Sequence, residues 1–314
     1  MNARILLKAR PTPAQLADRL SPPLPEGLEL YLDARDIQGA GWLEQIVARC
    51  RARQLPADFA WVVEGPLRSL DGEFFDLARG AAADHEVLAR LVASAQALGA
   101  AAVVIHCIAP VTDQEALNQR TRERALALAG ETLSHYVTLC QRAGVVPTIE
   151  NLPAVARMRE SAFVYSLIGM AAEDLLHYAR RLPGLRLTCD TSHAQLYLNA
   201  AAAEPAALAP ELAALVRFVA DPTAPRSLAG YIDRLGDLVY EAHVSDAAGL
   251  LDEGLPYGEG VADLDDAVAR LLPLARFLVT EPLEPDPEKA QQMREVARRI
   301  AAVRARVETS EVER

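Results

Sequence analysis

Eight short β-rich apolar runs recur along this chain, separated for the most part by stretches with helical spacing. That alternation constrains the fold more than any other feature. The runs are Arg4 to Ala9, Leu28 to Asp33, Phe59 to Glu64, Ala101 to Cys107, Val145 to Glu150, Leu185 to Asp190, Leu238 to Val244 and Arg276 to Glu281. Most are continuously apolar, the pattern of strands covered on both faces in a parallel sheet under helices. Glu44 to Arg53, His85 to Leu98, Arg120 to Ala143, Ala171 to Leu182, Leu264 to Leu272 and Pro287 to Val303 carry the helix signals. Gly99 and Gly144 stand where a helix C-cap is expected.

Eight strand–helix units in 314 residues point to an α/β chain closed as a (β/α)8 TIM barrel, one domain over residues 1–314. The first strand is the weakest of the eight, and without it an open doubly wound sheet is the fallback. Asn199 to Val216 is Ala-rich with interrupting prolines and reads as short extra helices over the barrel mouth. Residues 308–314 are polar and read as a frayed tail.

Composition removes several function classes. Lysine and arginine number 32 against 43 aspartates and glutamates, a formal net charge of −11. That disfavours nucleic acid as a partner, since phosphate-backbone binding needs clustered Lys and Arg. No apolar run can span a bilayer, and Ile5-Leu6-Leu7 is too short for the apolar region of a signal peptide. The expectation is a cytoplasmic protein acting on a small-molecule substrate, with homo-oligomerisation open. Cys50, Cys107, Cys140 and Cys189 show no CxxC spacing and read as reduced, mostly buried thiols.

The ionisable residues cluster at run ends. Glu64, Glu150, Asp190 and Glu281 close their runs, and His106 and His243 stand within two residues of an end. In a barrel these ends share the face where active sites are built. Converging carboxylates repel one another and raise each other's pKa unless a cation lies between them. Glu150, Asp190, His243 and Glu281 form a hard, oxygen-rich set suited to manganese, magnesium or cobalt, with zinc possible. Glu64 and His106 could hold a second metal with a bridging Glu150. The alternatives are a Glu64 charge pair with an arginine such as Arg68, and a His106 bonded to a neighbouring carboxylate. Arg157 and Arg159 follow the fifth run in a loop that could hold a substrate phosphate or carboxylate. A solvated loop charge is the competing reading.

The ordered series Val63-Glu64-Gly65-Pro66-Leu67, Val103-Val104-Ile105-His106, Thr148-Ile149-Glu150-Asn151, Cys189-Asp190-Thr191-Ser192-His193, His243-Val244-Ser245-Asp246, Gly258-Glu259-Gly260 and Thr280-Glu281 resembles the xylose-isomerase-like TIM barrels. That family includes sugar-phosphate isomerases and epimerases and the metal-dependent apurinic-site endonucleases. The resemblance implies that Glu150, Asp190, His243 and Glu281 are the metal ligands and that Glu150 and Glu281 trade protons with substrate. It implies that His193, and with it His106, contacts substrate and that Asp246 orients the loop ending at Gly258. The endonuclease branch has a metal-binding His where this chain has Glu64, and an Asp-x-His motif where it has Asp252-Glu253-Gly254. These departures weigh against a third metal held by His193 and Asp252.

The function implied is metal-dependent isomerisation or epimerisation, by proton transfer next to a carbonyl of a sugar or related polyhydroxy compound. Metal-dependent phosphodiester hydrolysis, dehydration on the same scaffold and a non-catalytic ligand-binding barrel remain alternatives.

Overall fold

A computed structural model describes residues 3–157 and 163–312. Eight parallel strands close a barrel in sequential order: β1 (Arg4–Ala9), β2 (Gly27–Tyr31), β3 (Ala60–Glu64), β4 (Ala102–His106), β5 (Val146–Glu150), β6 (Arg186–Asp190), β7 (Val239–Val244) and β8 (Phe277–Thr280). β1 pairs with β8 from Arg4↔Phe277 to Leu7↔Thr280 and with β2 on its other side. The closed (β/α)8 architecture expected from the sequence is therefore the observed one. The first strand, the weakest in the sequence, is the one that completes the ring.

Alternation along each strand separates two cores. Leu6, Ala60, Val62, Ala102, Val104, Phe277 and Val279 pack together inside the barrel. Residues of the opposite parity, such as Leu7, Leu30, Val63, Val103, Ile149, Leu187, Ala242 and Leu278, join the larger core under the helices. Lys8, Glu64, His106, Glu150, Asp190 and His243 have the interior parity of their strands, and so reach the barrel axis near its C-terminal end.

The helices are α1 (Pro13–Arg19), α2 (Trp42–Cys50), α3 (Ala82–Leu98), α4 (Gln119–Ala143), α5 (Ala172–Ala179), α6 (Thr191–Ala202), α7 (Pro210–Val219), α8 (Leu228–Leu235), α9 (Leu264–Leu271) and α10 (Gln291–Val312). Gly99 and Gly144 adopt left-handed conformations, at φ 70° and 72°, and end α3 and α4 as C-caps. All four cysteines are free and buried. Among the described residues no helix is long and apolar enough to cross a membrane.

The structure corrects several boundaries. Asp33 does not end the second strand: its carboxylate accepts from the Arg35 backbone N–H, and Asp36 caps it in return, opening a short 3-10 helix at Ala34–Ile37. The extra helices between β6 and β7 start at Thr191 rather than Asn199, because the Asp190 side chain caps α6 directly. α8 was not anticipated, although Leu228, Tyr231, Ile232 and Leu235 make a helical stripe behind the Ser227 cap. The expected frayed tail is instead the end of α10, which continues to Val312.

Two small sheets decorate the C-terminal loops. Pro110–Val111, Phe163–Ser166 and Val155–Arg157 form one, and Asp246–Ala248 pairs with Asp252–Leu255 in the other. The backbones at Cys107 and Gly169, on successive parts of the barrel rim, approach closely. Gly169 has φ +85°, and a Cβ there would come within 1.8 Å of the Cys107 carbonyl oxygen. Gly169→Ala should therefore destabilise the barrel by about 2–4 kcal/mol, read from chemical denaturation. An unchanged unfolding midpoint would contradict this close approach.

Candidate metal centre

Each interior strand end delivers one polar side chain to a common point. Glu150, Asp190, His243 and Glu281 each offer a ligand atom, and these atoms lie within 4.8 Å of one another. His243 Nδ1 is 2.7 Å from Glu281 Oε2, 3.3 Å from Glu150 Oε1 and 3.9 Å from Asp190 Oδ2. Its other nitrogen, Nε2, lies 3.0 Å from Glu29 Oε2. A carboxylate on the far nitrogen fixes the ring and its tautomer, so that Nδ1 presents its lone pair to a cation. Asn151 fixes the next ligand from the main chain: its side chain donates to the Asp190 carbonyl and accepts from the Asp190 N–H.

A second group adjoins the first. His106 Nε2 is 3.2 Å from Glu64 Oε1 and 3.7 Å from Glu150 Oε2. Glu64, His106 and Glu150 also place ligand atoms within 4.8 Å. The partner of Glu64 is not Arg68, which stacks on Phe74 and bonds the Gly72 carbonyl. It is Lys8, whose Nζ lies 2.5 Å from Glu64 Oε2 and also pairs with Glu281 Oε1.

His193 stands beside the first group. Its Nδ1 is 2.9 Å from the Asn151 carbonyl and 3.3 Å from Glu150 Oε1, and its Nε2 is 3.4 Å from Glu253 Oε2. Glu253 thus sits where a third ligand set would need room. Gly254, in the place of the endonuclease His, has φ +67°, and a Cβ there would meet Leu283 Cγ at 2.8 Å. Asp246 holds the loop above: its carboxylate accepts from the backbone of Ala247, Gly258 and Ala262. Arg157 ends a strand of the small three-stranded sheet, and Arg159 lies outside the described residues.

The electrostatics fit a cation. Burial raises Asp190 to about 7, helped by the neighbouring Glu281 and Glu150 charges. Burial acts against Glu150 too, but the imidazoles of His243, His193 and His106 outweigh it and hold the carboxyl well below its usual range. Glu281 is drawn down to about 2 against its own burial, by Lys8 and His243. His243 is pushed well above its ordinary value: Glu29, Glu281 and Glu150 overcome the cost of burying its charge. Without another cation, protons supply the positive charge. Glu150 Oε2 is buried with no hydrogen-bond partner, and Glu281 Oε2 and His243 Nδ1 face each other with no further partner, an arrangement a cation could enter.

These atoms open onto a cavity of about 310 Å³ whose wall includes Lys8, Tyr31, His106, His193, Glu253 and Leu283. Sequence reasoning passed over Lys8, Glu29, Glu241 and Glu253. The first three stand alone as charges inside apolar strands, and Glu241 and Glu29 have interior parity with His243 and Tyr31. For Glu241, a charge two residues before His243 was the available signal.

Metal uptake must displace the protons on Asp190 and His243. Apparent affinity should therefore rise with pH through about 7 and weaken by about tenfold for each pH unit below it, per proton displaced. Titration calorimetry in buffers of different ionisation enthalpy would show proton release. Affinity independent of pH between about 6 and 8 would contradict it.

The xylose isomerase-like TIM barrel family matches residues 26–303. No curated protein matches the sequence. A D-tagatose 3-epimerase-like protein superposes with a TM-score of 0.64 at 15% identity, covering 97% of this chain and 99% of its own. The 3-keto-D-glucoside 4-epimerase of E. coli gives 0.64 at 14%, covering 96% and 99%. A Thermus thermophilus protein soaked with ZnCl2 gives 0.61 at 17%, covering 96% and 97%. At these identities the likeness is one of fold. The family match spans most of the chain and includes seven of its eight strands, and the chain belongs to the xylose isomerase-like TIM barrel family.

Proposed function

We propose that this protein is a divalent-metal-dependent epimerase or isomerase of a sugar or related polyhydroxy compound. The observation that carries the reading is the ring of Glu150, Asp190, His243 and Glu281, whose ligand atoms lie within 4.8 Å of one another and whose carboxylates line one cavity. Three oxygen donors and one imidazole favour manganese, magnesium or cobalt over softer ions, with zinc admissible. The epimerases of the same fold support a sugar as substrate.

A hydrogen on carbon next to a carbonyl is very weakly acidic, and a divalent ion lowers the cost by polarising the carbonyl oxygen. Everything else falls to the side chains. Glu150 is on β5 and Glu281 follows β8, three strands away around the ring. A substrate lying between them offers one face to each. One carboxylate removes the proton and the other returns it from the opposite side. Glu150 is held ionised by three imidazoles and Glu281 by Lys8, so both are unprotonated and able to accept a proton at neutral pH. His193 and His106 border the same cavity and are placed to bond substrate hydroxyls. The small sheet containing Val155–Arg157 lies in the loop that follows β5, where Arg157 and Arg159 would meet an anionic substituent.

A second reading, phosphodiester hydrolysis by two ions, rests on one observation: Glu64, His106 and Glu150 form a further ligand group that shares Glu150 with the first.

Incubated with ketohexoses and ketopentoses in D2O, the metal-loaded protein should wash deuterium into the carbon next to the carbonyl. Glu150→Gln and Glu281→Gln should each lower turnover by about 10²–10⁴-fold. Full turnover in either variant sinks the two-carboxylate mechanism. Cleavage of a phosphodiester substrate assayed in parallel, with no deuterium incorporated into the sugars, favours the hydrolytic reading.

A further inference from the structure

We infer that the Lys8 ammonium is a built-in second cation, occupying the place where a second metal ion would otherwise sit, so that the centre takes a single ion. The inference rests on the reading of Glu150, Asp190, His243 and Glu281 as a metal site.

Lys8 is the interior residue of β1 nearest the C-terminal rim, and its side chain is only 12% exposed. Its Nζ touches carboxylates from two other strand ends, Glu64 and Glu281, and lies 3.7 Å from Glu29. The engagement is atom by atom. Glu64 has two oxygens: Oε2 takes Lys8 at 2.5 Å, and Oε1 takes His106 Nε2 at 3.2 Å. Lys8 thus holds one of the two oxygens that Glu64 could offer an ion. Glu281 divides its oxygens in the same way. Oε1 meets Lys8, and Oε2 faces His243 Nδ1 at 2.7 Å, toward the first ligand group.

Lys8 therefore bridges the two groups as a bridging cation would, with Glu281 reaching the first and Glu64 belonging to the second. An ammonium tethered through its own strand cannot exchange or be chelated away. It also repels any divalent ion entering between Glu64, His106 and Glu150. An ion there would meet Glu64 Oε1, the His106 ring and Glu150 only with a fixed ammonium beside it on Glu64 Oε2.

The chain is stripped with a chelator, titrated with Mn2+ or Zn2+, and its bound ions counted by elemental analysis and calorimetry. Wild type should hold about one tight ion per chain, and Lys8→Met about two, since Glu64 is then freed. Lys8→Arg, which keeps the charge, should stay at about one. Glu64→Gln added to Lys8→Met should return the count to about one by removing a donor of the second group. Two tight ions in wild type, or one in a Lys8→Met variant with a native circular dichroism spectrum, would overturn the inference. If Lys8→Met does not fold, the wild-type count decides alone: one supports the inference and two overturns it. No ion in wild type instead overturns the metal reading beneath it.

Discussion

Repulsion among carboxylates enclosed in a barrel is the constraint on which this site depends. Glu29, Glu64, Glu150, Asp190, Glu241 and Glu281 all belong to one interior, and every one but Glu281 is almost fully buried. Water cannot screen them there, so each must find a cation, a hydrogen-bond donor or a proton. The solutions differ by depth. Glu241, deepest on β7, has no partner for either oxygen, and burial lifts it well above the usual carboxylate range. Glu29 takes the His243 ring. Glu64 takes Lys8 and His106. The outermost ring keeps free acceptor atoms pointed at one another, the arrangement that a mobile divalent ion relieves.

This gradient also explains why the same fold can support several reactions. The strands fix where the charges sit, and the loops decide what comes near them. Asp246 ties its loop by three backbone N–H groups, and Gly254 allows that loop to press against Leu283. A histidine at Gly254 would have to take a left-handed backbone and displace the Leu283 side chain. The departure from the endonuclease pattern is thus built into local geometry as well as into ligand chemistry.

Much of the fold was legible because strand burial leaves a simple mark. Continuous apolar runs ending in Glu150, Asp190 or Glu64 locate both the strand and its active end, and the strand ends found in the structure agree to within two residues. The ring of candidate ligands was legible for the same reason. What could not be read was partnership. Lys8 looked like the end of a weak apolar run, because nothing local says that its strand will lie beside Glu281. Glu29 and Glu241 were absorbed into apolar runs although their parity matched that of Tyr31 and His243. Helix α8 was missed because attention to alanine and proline in the preceding segment hid a short stripe behind Ser227. Arg157 ends a short strand of the small sheet that the run pattern did not mark.

Lys8 and Glu281 are separated by 273 residues, yet they meet because β1 pairs with β8. During synthesis the lysine emerges long before Glu281 does. Until then Lys8 and Glu64 can meet, but the ring lacks one of its four donors and the barrel lacks its seam. Completion of the wall and completion of the candidate ring are therefore one event, since the strand that closes the barrel also delivers Glu281.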